Sequence, residues 1–154
     1  MAEAGAEVVA GPPGPVIGLD LGDVRIGVAL SDPDRRLAVP IGTVHVGRPP
    51  GELTAIAALV RDHGATLVVL GLPLNMDGSR GPRAALAEGF AETLRGFLGV
   101  EVELFDERLT TVEAERGLRE AGVKARDRRA VVDAAAARVL LQGWLDAHRS
   151  RGSA

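Results

Sequence analysis

The chain has 154 residues, a hydrophobic fraction of 46% and a net charge of −3 from 18 Lys+Arg against 21 Asp+Glu, which fits one domain with one core and excludes two ordinary domains. Without cysteine, disulfides, zinc-thiolate sites and cysteine nucleophiles are excluded, and a reducing cytoplasm is expected. No apolar run nears the about 20 residues of a membrane helix, secretion is not indicated, and the acidic balance argues against a general nucleic-acid coat.

Residues 1–14 are Ala/Gly/Pro-rich without an apolar period and are expected to form a disordered extension. The folded domain is expected over 15–148, with 149–154 a flexible tail. Val16 to Leu21 reads as a strand closed by the Gly22-Asp23 turn, and Val24 to Leu30 returns antiparallel. Leu37 to Val46 is a third strand, which Pro40 and Gly42 assign to an edge or a bulge.

The period then changes. Leu53, Ile56, Ala57 and Val60 form one face of a helix ending at Gly64. Thr66 to Leu72 is apolar on both faces, as in a central parallel strand. The loop Pro73 to Pro82 precedes a second helix, for which Leu86, Phe90, Leu94 and Phe97 are the expected buried stripe. Val100 to Phe105 alternates as a strand and delivers Asp106-Glu107-Arg108; Thr110 and Glu113 form a capping box opening a helix that Gly122 stops. A last helix is expected from about Arg126 to His148. The order predicts an α/β fold: a mixed sheet of three antiparallel strands followed by parallel strands, with helices on its faces and ligands at strand ends.

Three acidic positions stand out. Asp20 interrupts an apolar strand, where an unpaired charge is costly. Asp106 and Glu107 leave the last strand. Asp133 heads the stripe Ala136, Ala137, Leu140, Leu141 and Trp144, so a helix packed by that stripe aims it at the sheet. Singly, each acid has a plainer reading: Asp20 paired with Arg25 or Arg108, Glu107 at the surface, Asp133 answering Arg129. Jointly, three acids from separate elements suit a divalent cation, magnesium or manganese, able to activate water for phosphodiester hydrolysis. His45, His63 and His148 lie in an edge strand and near helix ends, positions unlike those of a general base. The segment Lys124 to Arg129 holds four cations in six residues, and reads either as a solvated helix start or as a phosphate-binding rim.

Four segments, GLDLGDVRIGVALSD (Gly18 to Asp32), GLPLNMDGSRGPRA (Gly71 to Ala84), FDERLTTVEAE (Phe105 to Glu115) and DAAAARVLLQGWLD (Asp133 to Asp146), resemble the YqgF/RuvX family of the RNase H-like superfamily. The likeness spans Val16 to His148. It implies an RNase H-like sheet and a nuclease cutting structured nucleic acid, either at the 5′ end of pre-16S rRNA or at Holliday junctions. It further implies that Asp20, Glu107 and Asp133 are the catalytic, metal-holding triad. Adjacent strand residues face opposite sides, so one of Asp106 and Glu107 reaches the metal, and the family motif favours Glu107. The expected substrate contacts are Arg25, Asn75, Arg80, Arg83, Arg108 and Lys124, with Gly78 and Gly81 shaping the loop.

Two other classes compete. The strand and Asp-x-Gly turn also resemble the phosphate hairpin of actin-like and sugar-kinase ATPases, but those need a second lobe. A non-catalytic RNA or ribosome-assembly binder would use the Arg clusters, although Phe 3, Trp 1 and Tyr 0 provide little for base stacking. The partner is expected to be an rRNA precursor or branched DNA, and the protein a monomer or homodimer.

Overall fold

The computed structural model describes residues 14–48, 50–106 and 125–152, with side chains in the last segment described over 132–148. Strand β1 (Val16–Leu21) and strand β2 (Arg25–Ser31) pair antiparallel, with Asp20 opposite Gly27 and Gly18 opposite Ala29. Strand β3 (Ala38–His45) continues the antiparallel run at the sheet edge. Its register slips where β2 passes from Val28 to Ala29, opposite Gly42 and Pro40. Gly42 has φ 142, a backbone that a side chain resists, so the expected edge-with-bulge is what these two residues produce.

Helix α1 (Gly51–His63) ends on Gly64 in the left-handed conformation, whose N–H caps the carbonyls of Arg61 and Val60. Strand β4 (Leu67–Leu72) lies parallel to β1 on one side and, on the other, to β5 (Glu101–Asp106), giving the order β3-β2-β1-β4-β5. Helix α2 (Pro82–Phe97) connects β4 to β5, and α3 (Ala125–Gly152) is the last described element. Among the described residues no helix is long and apolar enough to cross a membrane.

The expected mixed sheet therefore forms, with helices on both faces. One face packs Ile17, Leu19, Ile26, Val28, Val68 and Leu70 against Ile56 and Val60 of α1 and Ala87, Ala91 and Leu94 of α2. The other packs Val16, Ala29, Leu67 and Val69 against Ala137, Leu141, Trp144 and Leu145 of α3. Alternation along each strand explains why β4 is apolar throughout: Val68 and Leu70 serve the first layer, Leu67 and Val69 the second.

Two expectations need correction. Helix α2 buries Ala84, Ala87, Ala91 and Leu94, while Leu86 is 70% and Phe97 46% exposed. The alanine stripe lets α2 lie close to β4 and β5, and the bulkier Leu86–Phe97 side is turned outward. Helix α3 continues to Gly152 rather than stopping near His148, because Arg149, Ser150 and Arg151 contain no helix breaker before that glycine. The helix expected between Thr110 and Gly122 lies outside the described residues.

Candidate metal centre

Asp20 is half-buried on β1 and sits directly across from Gly27 on β2. Residues paired across a strand point to the same face. At Gly27 that face is already filled: a Cβ there would lie 1.8 Å from the carbonyl oxygen of Asp133 and 2.4 Å from its carbonyl carbon. The backbone of α3 thus rests on β2 at Gly27, and Asp133 is held one strand away from Asp20. Two residues before Asp20, on the same face, Gly18 plays the matching part: its Cβ would meet the Leu141 Cβ at 2.8 Å and the Ala137 carbonyl at 3.4 Å. Two missing side chains seat the helix and bring the two acids to the carboxyl end of β1.

The stripe that aims Asp133 is formed as its spacing predicts. Ala136, Ala137, Leu140, Leu141 and Trp144 are all buried, and Asp133 itself is half-buried at their leading end. Arg25, on the same face of β2 two residues before Gly27, donates from Nε to Asp133 Oδ2 at 2.8 Å. Arg25, expected among the substrate contacts, is instead ion-paired to Asp133, one of the three acids expected at the metal. The far end of α3 is tied to β5 by Trp144 Nε1 donating to Glu103 Oε1 at 3.1 Å, and within the helix His148 stacks on Trp144 with ring centroids 3.8 Å apart.

Asp106 is paired with Leu72, in step with Leu104 opposite Leu70. Leu70 and Leu104 belong to the α1–α2 layer, so Asp106 lies on that side of the sheet, opposite Asp20 and Asp133. Glu107, Arg108 and Lys124 lie outside the described residues. Among the described residues no three His, Asp or Glu side chains form a group able to hold a metal ion.

The expected substrate loop is organised from within. Asn75 donates from Nδ2 to Ser79 Oγ at 2.9 Å, its N–H donates to the Ser79 carbonyl at 2.9 Å, and the Gly78 N–H donates back to the Asn75 carbonyl at 2.8 Å. Asp77 accepts from the Ser79 N–H and hydroxyl. Gly78 has φ 88, the conformation for which glycine is suited, whereas at Gly81 a Cβ would stand 3.2 Å from the Asn75 amide, a tight contact that Asn75 would have to yield to. Arg80 is ion-paired to Glu88 of α2. Arg83 is exposed in the first turn of α2, the member of this loop set whose guanidinium makes no ion pair among the described residues. Sequence reasoning missed Gly18 and Gly27; isolated glycines inside strands were the available signal of a close approach.

Residues 14–147 match a family model described as RuvX, Holliday junction resolvase. A protein of Anaeromyxobacter dehalogenans (strain 2CP-C) named "Putative pre-16S rRNA nuclease" is 56% identical over 130 residues, which is 84% of this chain and 95% of that protein. One of the same name from Myxococcus xanthus (strain DK1622) is 55% identical over 133 residues, 86% of this chain and 88% of its own. The fowlpox virus resolvase, solved with Holliday junction DNA, shares the fold with a TM-score of 0.54 at 11% identity, over 87% of this chain and 98% of that one. The family match runs from before β1 to near the end of α3, and the chain belongs to the RuvX family.

Proposed function

We propose that the protein is a divalent-metal-dependent nuclease that hydrolyses phosphodiester bonds in structured nucleic acid, with pre-16S rRNA 5′-end processing as its role. The observation that carries this reading is the placement of Asp20 and Asp133 on one face of the sheet at one strand end, by way of Gly27. The names of the curated relatives support the RNA role.

The donor chemistry fits a hard cation. Asp20 and Asp133 offer carboxylate oxygens, and magnesium needs only one or two of these beside water and substrate phosphate. Arg25 already donates to Asp133 Oδ2, so a bound cation would take the other carboxylate oxygen or displace the guanidinium. Asp106 faces the other layer, so Glu107 is the third acid of the proposed set. Bound magnesium or manganese supplies an activated water and charge stabilisation at the leaving oxygen.

The chain's own residues orient the reaction. Asp20 is fixed by its place in β1, between two paired strands, and Asp133 by the close packing of α3 and by Arg25. Such rigid placement of reacting groups lowers the barrier by reducing the freedom lost at the transition state. Arg83, exposed at the end of the Asn75–Arg83 loop, is suited to a substrate phosphate, and Arg108 and Lys124 are proposed as further backbone contacts. Asn75 acts by shaping the loop, and Arg80 by anchoring it to Glu88.

The test is cleavage of a pre-16S 5′ precursor and of a four-way DNA junction, each with magnesium, with manganese and with chelator. Asp20→Asn and Asp133→Asn, verified as folded, are expected to lose at least about 100-fold in rate, since even partners of metal ligands commonly matter by 10–100-fold. Unchanged rates in both variants refute the mechanism. The family description favours a second reading, junction resolution. It requires two active sites spaced in a dimer, and faster cleavage of the junction than of the precursor would select it.

A further inference from the structure

Arg25 holds Asp133 by one nitrogen. Its Nε donates to Oδ2 at 2.8 Å, although a guanidinium and a carboxylate can make two parallel bonds. Among the described residues, neither terminal nitrogen of Arg25 nor the other Asp133 oxygen, Oδ1, enters a further hydrogen bond or ion pair. The two side chains are 23% and 29% exposed, so the pair lies at the rim of the acid site, open to an arriving ligand. It is a single contact between groups that can each make more.

The register shows what surrounds the guanidinium. Arg25 lies two residues before Gly27, on the face of β2 that meets Asp133. Across from it on β3 is His45, exposed and on the same face. Asp133 is therefore the one acid paired with Arg25 among the described residues, and no second carboxylate there retains the guanidinium. Asp133 itself has a second anchor, because its backbone rests on Gly27. The acid stays at the strand end whether or not Arg25 is bonded to it.

A divalent cation and Arg25 compete for one carboxylate. Like charges drawn to the same group repel, so a cation arriving alone must break the Arg25 bond or bear that repulsion. With nucleic acid present the competition ends, since a phosphate offers the planar guanidinium two oxygens in the paired geometry it favours. We infer that Arg25 passes from Asp133 to a substrate phosphate as the cation enters, so that metal and substrate each tighten the binding of the other. The inference rests on the nuclease reading for both ligands. Arg25 is thus a positioning residue that makes the centre load its metal together with its substrate.

The experiment compares the full-length protein with R25Q, which removes the charge and keeps a donor, and R25M, which removes both. Manganese binding without nucleic acid is read by electron paramagnetic resonance of the free ion. Affinity for a labelled RNA hairpin, checked by gel to be intact, is read by fluorescence anisotropy in chelator and in manganese. Both variants are expected to bind manganese about tenfold more tightly than wild type, the scale of one partly exposed charge-assisted bond. Coupling is reciprocal, so the factor by which manganese tightens hairpin binding should fall by the same amount. An arginine that merely orients Asp133 gives the opposite sign, weaker manganese binding in R25M. Manganese affinity unchanged or reduced in R25Q, or a wild-type hairpin affinity that manganese does not raise, overturns the inference and leaves the nuclease reading standing. A wild type that binds no manganese, or binding that Asp20→Asn and Asp133→Asn leave intact, overturns the nuclease reading and this inference with it.

Discussion

Gly27→Ala is the sharpest perturbation of the proposed centre. The added methyl would stand 1.8 Å from the Asp133 carbonyl oxygen, where 3.4 Å begins ordinary contact. The shortfall is about 1.6 Å, the difference of those two distances, and the obstructing atoms are backbone, so no side-chain rotation relieves it. Either α3 lifts at Asp133 or β2 bends away beneath it. Overpacking a core by a methyl costs about 1–3 kcal/mol, and a backbone clash of this depth belongs at the upper end. If half the shortfall becomes a displacement of Asp133 relative to Asp20, the acids separate by nearly 1 Å, a misplacement that can lower catalysis about 100-fold.

The assay combines urea unfolding with initial cleavage rates at saturating magnesium, below the temperature at which the variant begins to melt. Stability is expected to fall by about 2–3 kcal/mol and the rate of the folded fraction by about 100-fold. Stability and rate both within error of wild type would mean that α3 does not rest on Gly27, and the proposed juxtaposition of Asp20 and Asp133 would fall with it.

Three further outcomes follow from other contacts. Arg25→Ala leaves the half-buried Asp133 without its 2.8 Å partner and should destabilise the metal-free protein by about 1–3 kcal/mol; the loss should shrink when manganese is added, and equal losses with and without manganese in urea titrations refute a cation site at Asp133. Asp32 is held below the usual carboxylate value of 3.8, chiefly by the Leu37 N–H and also by that of Arg36, each at 2.8 Å. Its contribution to stability is therefore complete above the unfolded value and is lost as pH falls through the lower folded one, so the gap in melting temperature between wild type and Asp32→Asn should close below about pH 4; a constant gap refutes it. Gly89 is exposed in α2, with nothing within 4 Å of where a Cβ would stand, so Gly89→Ala should raise stability by about 0.5–1 kcal/mol in thermal unfolding, and a decrease would show that the outward side of α2 is covered.

The acids were legible in the sequence because each broke a local rule. Asp20 stood in an apolar strand and Asp133 headed an apolar stripe, and both anomalies can be detected within a few residues of chain. The mixed character of the sheet was legible for a related reason, since a two-sided apolar β4 between helices reads as a central parallel strand after an antiparallel run. The packing side of α2 was not. Its sequence offers two apolar stripes, Leu86–Phe90–Leu94–Phe97 and Ala84–Ala87–Ala91–Leu94, and the choice depends on how near the helix must approach the sheet. Asn75 and Arg80 were readable as a polar loop, but their partners, Ser79 and Glu88, are set by the fold of that loop and not by composition.

The least legible feature is the one on which the site most depends. Asp20 and Asp133 are 113 positions apart in the chain, and what brings them together is a register, Asp20 opposite Gly27, combined with a gap above Gly27 that the helix backbone fills. A register is a relation between strands, and a gap is a missing side chain, so neither leaves a charge or a motif to read. The same geometry constrains substitution: Gly18 and Gly27 hold α3 at two points, at Leu141 and at Asp133. Those residues are eight apart, about 12 Å along the helix. A helix fixed at both points cannot tilt to absorb a change at either one. The geometry of the acid pair is therefore governed by two glycines in the sheet, and a change at Gly18, which touches α3 at Leu141 and not at Asp133, acts on Asp133 through a rigid helix.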